Sequence, residues 1–421
     1  MKLPVSDEYM AVIQNPKSCF KDPELKNGII ETGRLGLPRV ISGQNALVFK
    51  IICPSKKVYA VRCFLRYDPD QKERYQKISD YLEKRNLKYT VGFKFLEEGI
   101  KVQNTWYPIL KMDWVEGEPL DDFINKNYHD QRIILGLTYD FLEMLTVIRR
   151  ENIAHCDLQH GNILVVGNGL KLVDYDTMFI PDFIGKRSLA FGHINYQHPS
   201  KTFQPFDKNM DNFSAWVIFS SLALIATKSN LWIEEHPDLE GNELLFKYED
   251  FVNPDKSSTL RKLKNDSHSS IKKIGELMNS LMVSPELIPS PVDYSLPPLT
   301  SDTSWIDKYV DVLLDPDSYT GTCGTTSDVV EPPWYVEYIQ KGITPLKPWY
   351  MEKYEEAETS VSHEIKPDTL AHGGCSYCGK REYLPWRCNY CGGSFCSDHR
   401  MPFNHDCPGI ERYKNRSALR Y

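Results

Sequence analysis

With 421 residues, 41% of them hydrophobic and 25% charged, the chain has the composition of a globular protein, with material for one large domain and a smaller one. A net charge of −7 with acids and bases intermixed gives no chain-wide attraction to nucleic acid or anionic membrane, so neither is expected as a partner. The longest apolar run, Phe213 to Thr227, is too short to span a bilayer, the N-terminus lacks a secretory pattern, and the cysteines outside the last 50 residues are scattered singly; a reducing, cytoplasmic setting is expected.

In chain order, residues 1–29 read as an N-terminal extension. Residues 30–115 carry short apolar alternations, RVISGQNALVFKII, KKVYAVRCFL and KVQNTWYPILKMDWV, expected as strands of one antiparallel sheet. Between them Tyr75, Ile78 and Leu82 stand at helical spacing, which predicts one interrupting helix. Residues 116–285 are expected to be mainly helical, with a long amphipathic helix from Asp130 to Arg150 and a buried one after Asp211. Residues 286–370 mix Pro, Ser and isolated aromatics as in a linker; Trp334 and Trp349 either serve peptide-like docking or pack back on the core.

The densest chemistry lies in HCDLQHGNILVVGNGLKLVDYD, residues 155–176. ILVV and LKLV flank Gly-Asn-Gly, a hairpin signal because these residues tolerate positive φ. Pairing Val166 with Leu170 across a three-residue turn sets Asn162 opposite Asp174, with Asp157 in the loop leading in. One carboxylate base and two hard oxygen ligands suited to Mg2+ then lie close together.

The pattern H-x-D-L-x-x-x-N, followed by a hairpin and an aspartate, resembles the catalytic and metal loops of protein kinases, and the likeness runs over about residues 30–285. It implies an α+β, two-lobed protein-kinase-like fold with an antiparallel-sheet N-lobe and a helical C-lobe. It further implies Asp157 as the base toward the acceptor hydroxyl, with Asn162 and Asp174 holding magnesium on ATP. By the same resemblance Gly43 belongs to a phosphate-covering loop, Ala60 and Arg62 line the nucleotide from one strand, and Met112, Asp113, Val115 and Glu118 form the hinge beside adenine and ribose. Asp211 binds the catalytic-loop backbone on this reading, or else caps its own helix. Arg62 stands where the family has lysine and Gln159 replaces the loop lysine; Glu73 and Asp80 are the helix acids available to pair with Arg62. The resemblance implies an ATP-dependent Ser/Thr protein kinase, the alternatives being a pseudokinase scaffold that binds nucleotide and a protein partner, or a small-molecule kinase.

From Cys375 the spacing is C-x2-C-x9-C-x2-C-x4-C-x2-H-x5-H-x-C, eight zinc-type ligands in a segment too short to fold without metal. Four ligands per structural ion give two Zn2+ and leave no open catalytic position. The pattern resembles the AN1-type zinc finger of stress-associated proteins, placing a finger at 371–410 and a tail at 411–421. The resemblance implies interleaved sites, Cys375, Cys378, Cys396 and His399 on one ion and Cys388, Cys391, His405 and Cys407 on the other. It also implies a protein partner or substrate, such as ubiquitin or a chaperone, met by a surface including Lys380, Arg387 and Phe395.

Overall fold

The computed structural model describes residues 2–33, 35–42, 45–167, 169–186, 192–201, 206–236, 243–282, 288–293, 300 and 302–314, and near the C-terminus 376–377, 386–387 and 394–395. The chain divides into two compact units, Met1–Ile343 and Thr344–Tyr421. It is a mixed α/β protein whose strand pairs, among the described residues, are all antiparallel.

Three short helices open the first unit: α1 (Ser6–Ile13), α2 (Pro16–Cys19) and α3 (Pro23–Lys26). Proline starts α2 and α3, where its missing N–H costs no hydrogen bond, and Asp22 caps α3 by accepting from Glu24 and Leu25 N–H. The strands β1 (Ile29–Ile30), β2 (Val40–Ser42), β3 (Ala46–Ile52) and β4 (Val58–Phe64) follow, then α4 (Gln71–Arg85), β5 (Phe93–Val102) and β6 (Thr105–Asp113). They make one sheet in the order β1-β3-β4-β6-β5, with β2 also on β3.

The run KVQNTWYPILKMDWV proves to be a hairpin rather than one strand. Gln103 and Asn104 adopt φ 47° and 67°, and two residues at positive φ close a tight turn that matches the twist of the flanking strands. The N-terminal extension is not peripheral either. Tyr9, Ile13, Phe20 and Leu25 pack with Phe49, Ile51, Val61 and Ile109 into a core on one face of the sheet. Lys111 of β6 reaches across to Asp22 (3.0 Å) and Glu24 (2.7 Å), tying α3 to the sheet. A second core joins Tyr75, Ile78 and Leu82 of α4, at the expected helical spacing, to Phe64, Phe93 and Leu110 and onward to the helical part of the unit.

That helical part begins with β7 (Glu118–Pro119), α5 (Leu120–Asn127) and α6 (Gln131–Arg150), the last capped by Asp130. The hairpin β8 (Ile163–Val166) and β9 (Gly169–Leu172) pairs with β7. Helix α7 (Asn212–Thr227) is buried along nearly its whole length and packs on α6. Its apolar run is thus explained by neighbouring helices; among the described residues no helix is long and apolar enough to cross a membrane. Helices α8 (Asn230–Glu235), α9 (Tyr248–Val252), α10 (Ser258–Lys264) and α11 (Ser269–Ser280) complete the bundle.

The linker expected from residue 286 contains packed structure. Helix α12 (Ser304–Leu314) buries Trp305, Ile306, Tyr309 and Val310, whose i, i+1, i+4, i+5 spacing makes one apolar stripe. Trp334 and Trp349 lie outside the described residues. In the second unit β10 (Trp386–Arg387) and β11 (Ser394–Phe395) form an antiparallel pair.

Asp140, on α6, is 6% exposed, and burial with the nearby Glu143 charge pushes its carboxyl up to about 7. An acid raised in this way favours folding while protonated. That contribution is complete below the ordinary carboxylate range and is lost as pH climbs through about 7. Asp140→Asn is therefore expected to raise the melting temperature at pH 8, by up to about 4 kcal/mol of stability, and by less at pH 5. Equal effects in thermal melts at the two pH values would contradict the burial argument.

Candidate functional site

The β8–β9 hairpin has a register one residue tighter than expected. Val166 pairs with Gly169 and Ile163 with Leu172, so two residues make the turn. Gly169, at φ 124°, supplies the conformation that closes it. Asn162 consequently faces Val173, whose N–H donates to the Asn162 carbonyl at 3.0 Å. Asp174 lies one residue further on at φ 66°, where the left-handed backbone turns the chain out of the strand. Asn162 and Asp174 are therefore brought to the same hairpin end but are not a cross-strand pair.

Asp157 sits in the loop before the hairpin with both carboxylate oxygens engaged. Asn162 Nδ2 donates to its Oδ2 (3.1 Å) and backbone carbonyl (2.8 Å), and His193 N–H donates to its Oδ1 (2.7 Å). Residues 192–200, GHINYQHPS, thus reach the loop through His193. Asp211 makes no side-chain cap on α7 but receives the backbone N–H groups of His155 and of Cys156, the latter at 2.7 Å. Of its two expected roles, the structure selects the loop-binding one. His155 Nε2 closes the ring of contacts at the Val173 carbonyl, 2.8 Å away.

From the sheet, β4 delivers Arg62, which is only 8% exposed. Its Nη1 donates to Asp174 Oδ1 (2.5 Å) and Asp176 Oδ1 (2.7 Å), and its Nη2 to Asp176 Oδ2 (2.5 Å). Tyr75 of α4 donates its hydroxyl to the same Asp176 Oδ1. Burial pushes the Asp176 carboxyl up to about 6 and the neighbouring Asp174 adds to this, against the pull of Arg62. For Asp174 burial acts in the same direction, but the guanidinium overcomes it and holds the group below the usual carboxylate range. Neither helix acid proposed as a partner for Arg62 takes part: Glu73 pairs with Lys77 (2.6 Å) and Asp80 accepts from Gln76 (2.9 Å). Asp176 lies outside the set of residues the sequence pattern singles out, although the Asp-Tyr-Asp triplet carries the signal of a second acid close to the first.

The positions expected to form the hinge run from the sheet to the helices. Ala60 faces Met112 across β4 and β6, and Glu118, in β7 opposite Val165, pairs with Lys126 at 2.7 Å. The N–H groups of Asp113 and Trp114 are taken by the carbonyls of Gly92 and Val58, both at 2.9 Å. Of the expected adenine-facing stretch, Val115 is then the position whose N–H makes no such bond among the described residues. Gly43 lies outside the described residues.

The eight expected zinc ligands also lie outside them. The β10–β11 pair between them is described, with Trp386 opposite Phe395 and Arg387 opposite Ser394. Being antiparallel, the two strands run out at opposite ends of the ribbon.

Comparison with known families matches residues 375–412 to the AN1-like zinc finger. Over 33 residues the chain is 42% identical to the CDC48-associated ubiquitin-like/zinc finger protein 1 of Saccharomyces cerevisiae, covering 8% of this chain and 12% of that protein. Over 42 residues it is 40% identical to the zinc finger AN1 and C2H2 domain-containing stress-associated protein 13 of Arabidopsis thaliana, covering 10% and 17%. The chain spans under a fifth of the length of these curated relatives. Residues 375–412 are an AN1-type zinc finger, a zinc-binding module, and all the ligands predicted from Cys375 to Cys407 fall within it.

Proposed function

We propose that the first unit is a protein-kinase-like phosphotransferase that moves the terminal phosphoryl group of ATP to a Ser or Thr hydroxyl of a protein, and that the AN1-type finger recruits that protein or a regulator. The observation that carries this reading is the gathering of Asp157, Asn162 and Asp174 around one hairpin end, with a strand-borne cation, Arg62, at its side. The sheet supports it. Leaving aside β1, the strand order β2-β3-β4-β6-β5, with a helix inserted after the third strand, is the arrangement expected of a kinase-like N-lobe.

In this reading Asp157 accepts the proton of the attacking hydroxyl. Its carboxylate is held for that task by Asn162 Nδ2 and His193 N–H. Among the described residues no three His, Cys, Asp or Glu side chains form a metal cage. The donor set nevertheless suits magnesium, which takes few protein oxygens and fills its shell with water and phosphate. Asp174, with 43% of its side-chain surface exposed, and Asn162 would hold it, and the ion would supply charge neutralisation on the phosphates. Arg62 contributes a fixed positive charge, and Val115 a backbone donor toward the base.

One observation favours a second reading. Asp174 is already neutralised by Arg62 at 2.5 Å, which suits a scaffold that binds nucleotide without turning it over. A ligand that binds only the folded chain raises its melting temperature. Thermal-shift titration with Mg-ATP beside a transfer assay therefore separates the two: stabilisation without transfer supports the scaffold.

For the finger we propose a protein partner of the ubiquitin or chaperone class. The yeast relative's name joins such a finger to a CDC48-associated, ubiquitin-like protein, which supports this choice. The interleaved ligand sets hold two zinc ions, and the metal supplies folding free energy to a segment with little core of its own.

Incubation with radiolabelled ATP and a generic protein acceptor is expected to show labelling by the wild type. Asp157→Ala is expected to lower it about 10²–10⁴-fold and Asp174→Ala to background. Labelling by both variants at the wild-type rate would overturn the assignment. Metal analysis of the purified full chain is expected to find two zinc ions per molecule, and Cys388→Ser one or fewer; a variant that kept both ions would refute the assigned ligand role.

A further inference from the structure

In the kinase-like pattern a strand cation is oriented by a carboxylate on the helix that follows. Here Glu73 and Asp80 of α4 are engaged elsewhere, and the helix presents Tyr75 instead. Packing fixes that ring: Phe64, Phe93 and Phe95 surround it at centroid distances of 5.8, 6.0 and 5.9 Å. Its hydroxyl points at Asp176, whose two oxygens also receive the two terminal nitrogens of Arg62 at 2.7 and 2.5 Å. One carboxylate thus collects β4, α4 and the segment after β9.

We infer that Asp176 is the positioning residue for Arg62, taking the place of the helix carboxylate and holding the guanidinium beside Asp174. The choice of arginine at position 62 follows from this. Nη1 bridges Asp174 and Asp176 while Nη2 completes the fork on Asp176. A planar guanidinium can make that pattern, whereas the compact ammonium of lysine cannot lie in a fork. Arg62 is therefore matched to Asp176 rather than a weakened version of the family lysine. The functional half of the inference rests on the phosphotransferase reading; the coupling among Arg62, Asp176 and Tyr75 does not.

The test uses the full chain with Asp176→Asn, Arg62→Lys, their double variant and Tyr75→Phe. Thermal unfolding reads the coupling, and Mg-ATP affinity with kcat and KM reads the role. Asp176→Asn and Arg62→Lys are each expected to lower kcat at least tenfold, with acceptor KM within about twofold. The double variant is expected to be little worse than either, in rate and in melting temperature. Tyr75→Phe, which removes one donor to Asp176 and keeps the ring packed, is expected to lower kcat about three- to tenfold with little change in melting temperature, and it serves if Asp176→Asn does not fold. Wild-type kcat in Asp176→Asn or in Tyr75→Phe, full activity in Arg62→Lys, or additive effects of the two single changes would each overturn the inference. A wild-type chain inert toward Mg-ATP would sink the phosphotransferase reading and the positioning role with it. Additivity in the melts would still decide the coupling separately.

Discussion

Two consecutive backbone N–H groups, from His155 and Cys156, converge on the buried carboxylate of Asp211 at the start of α7. To present both, the chain at Cys156 takes φ 65°, a left-handed conformation that costs a non-glycine residue roughly 1–3 kcal/mol. The two hydrogen bonds to the buried carboxylate hold the chain in that conformation. This one contact fixes the direction in which the next residue, Asp157, leaves the loop. It also anchors the loop to the most deeply buried helix of the bundle, so the site inherits the rigidity of that core.

The sheet positions the other half of the site by a different means. Strand β4 is central, paired on both edges, and its register sets Ala60 against Met112 and Arg62 against Leu110. One face of the sheet is sealed by the N-terminal helices, which the Lys111 contacts with Asp22 and Glu24 hold in place. Lys111 is nearly buried, and a buried ammonium without acids would be severely destabilising; with two acids it becomes a directional clamp. The first thirty residues thus act as one wall of the sheet that carries Arg62.

Much of this was legible in the sequence wherever periodicity carried the signal. Tyr75, Ile78 and Leu82 announced α4, Asp130 announced the start of α6, and the apolar run after Asp211 announced α7. What escaped depended on backbone conformations that side-chain patterns do not encode. Gln103 and Asn104 read as a continuation of a strand because neither is glycine, yet both took positive φ. The β8–β9 register slipped by one because Gly-Asn-Gly permits a turn of two or three residues, and the choice moved Asn162 from opposite Asp174 to opposite Val173. The role of residues 1–29 escaped because short helices of few residues carry little periodic signal, and their apolar side chains find a partner only in the folded sheet. Asp176 escaped because its contacts, 114 residues away at Arg62 and 101 away at Tyr75, are tertiary. For the finger the reverse holds: ligand spacing alone revealed it, since metal chemistry constrains sequence more tightly than packing does.

The two aspartates that flank Tyr175 divide a single electrostatic task. Two carboxylates close together repel, and a point cation neutralises one of them well and the other poorly. A guanidinium has an extended charge with several donors, so it satisfies both at once. Asp176 takes the fork and the Tyr75 hydroxyl, so both of its oxygens are engaged. Asp174 takes a single nitrogen and keeps an open flank. The guanidinium is therefore held mainly by Asp176, while Asp174 presents the more open carboxylate at the hairpin end. The second acid and the arginine accordingly act as one structural unit. Arg62 alone would leave a buried charge poorly compensated, and with Asp176 its position is set without any acid of α4.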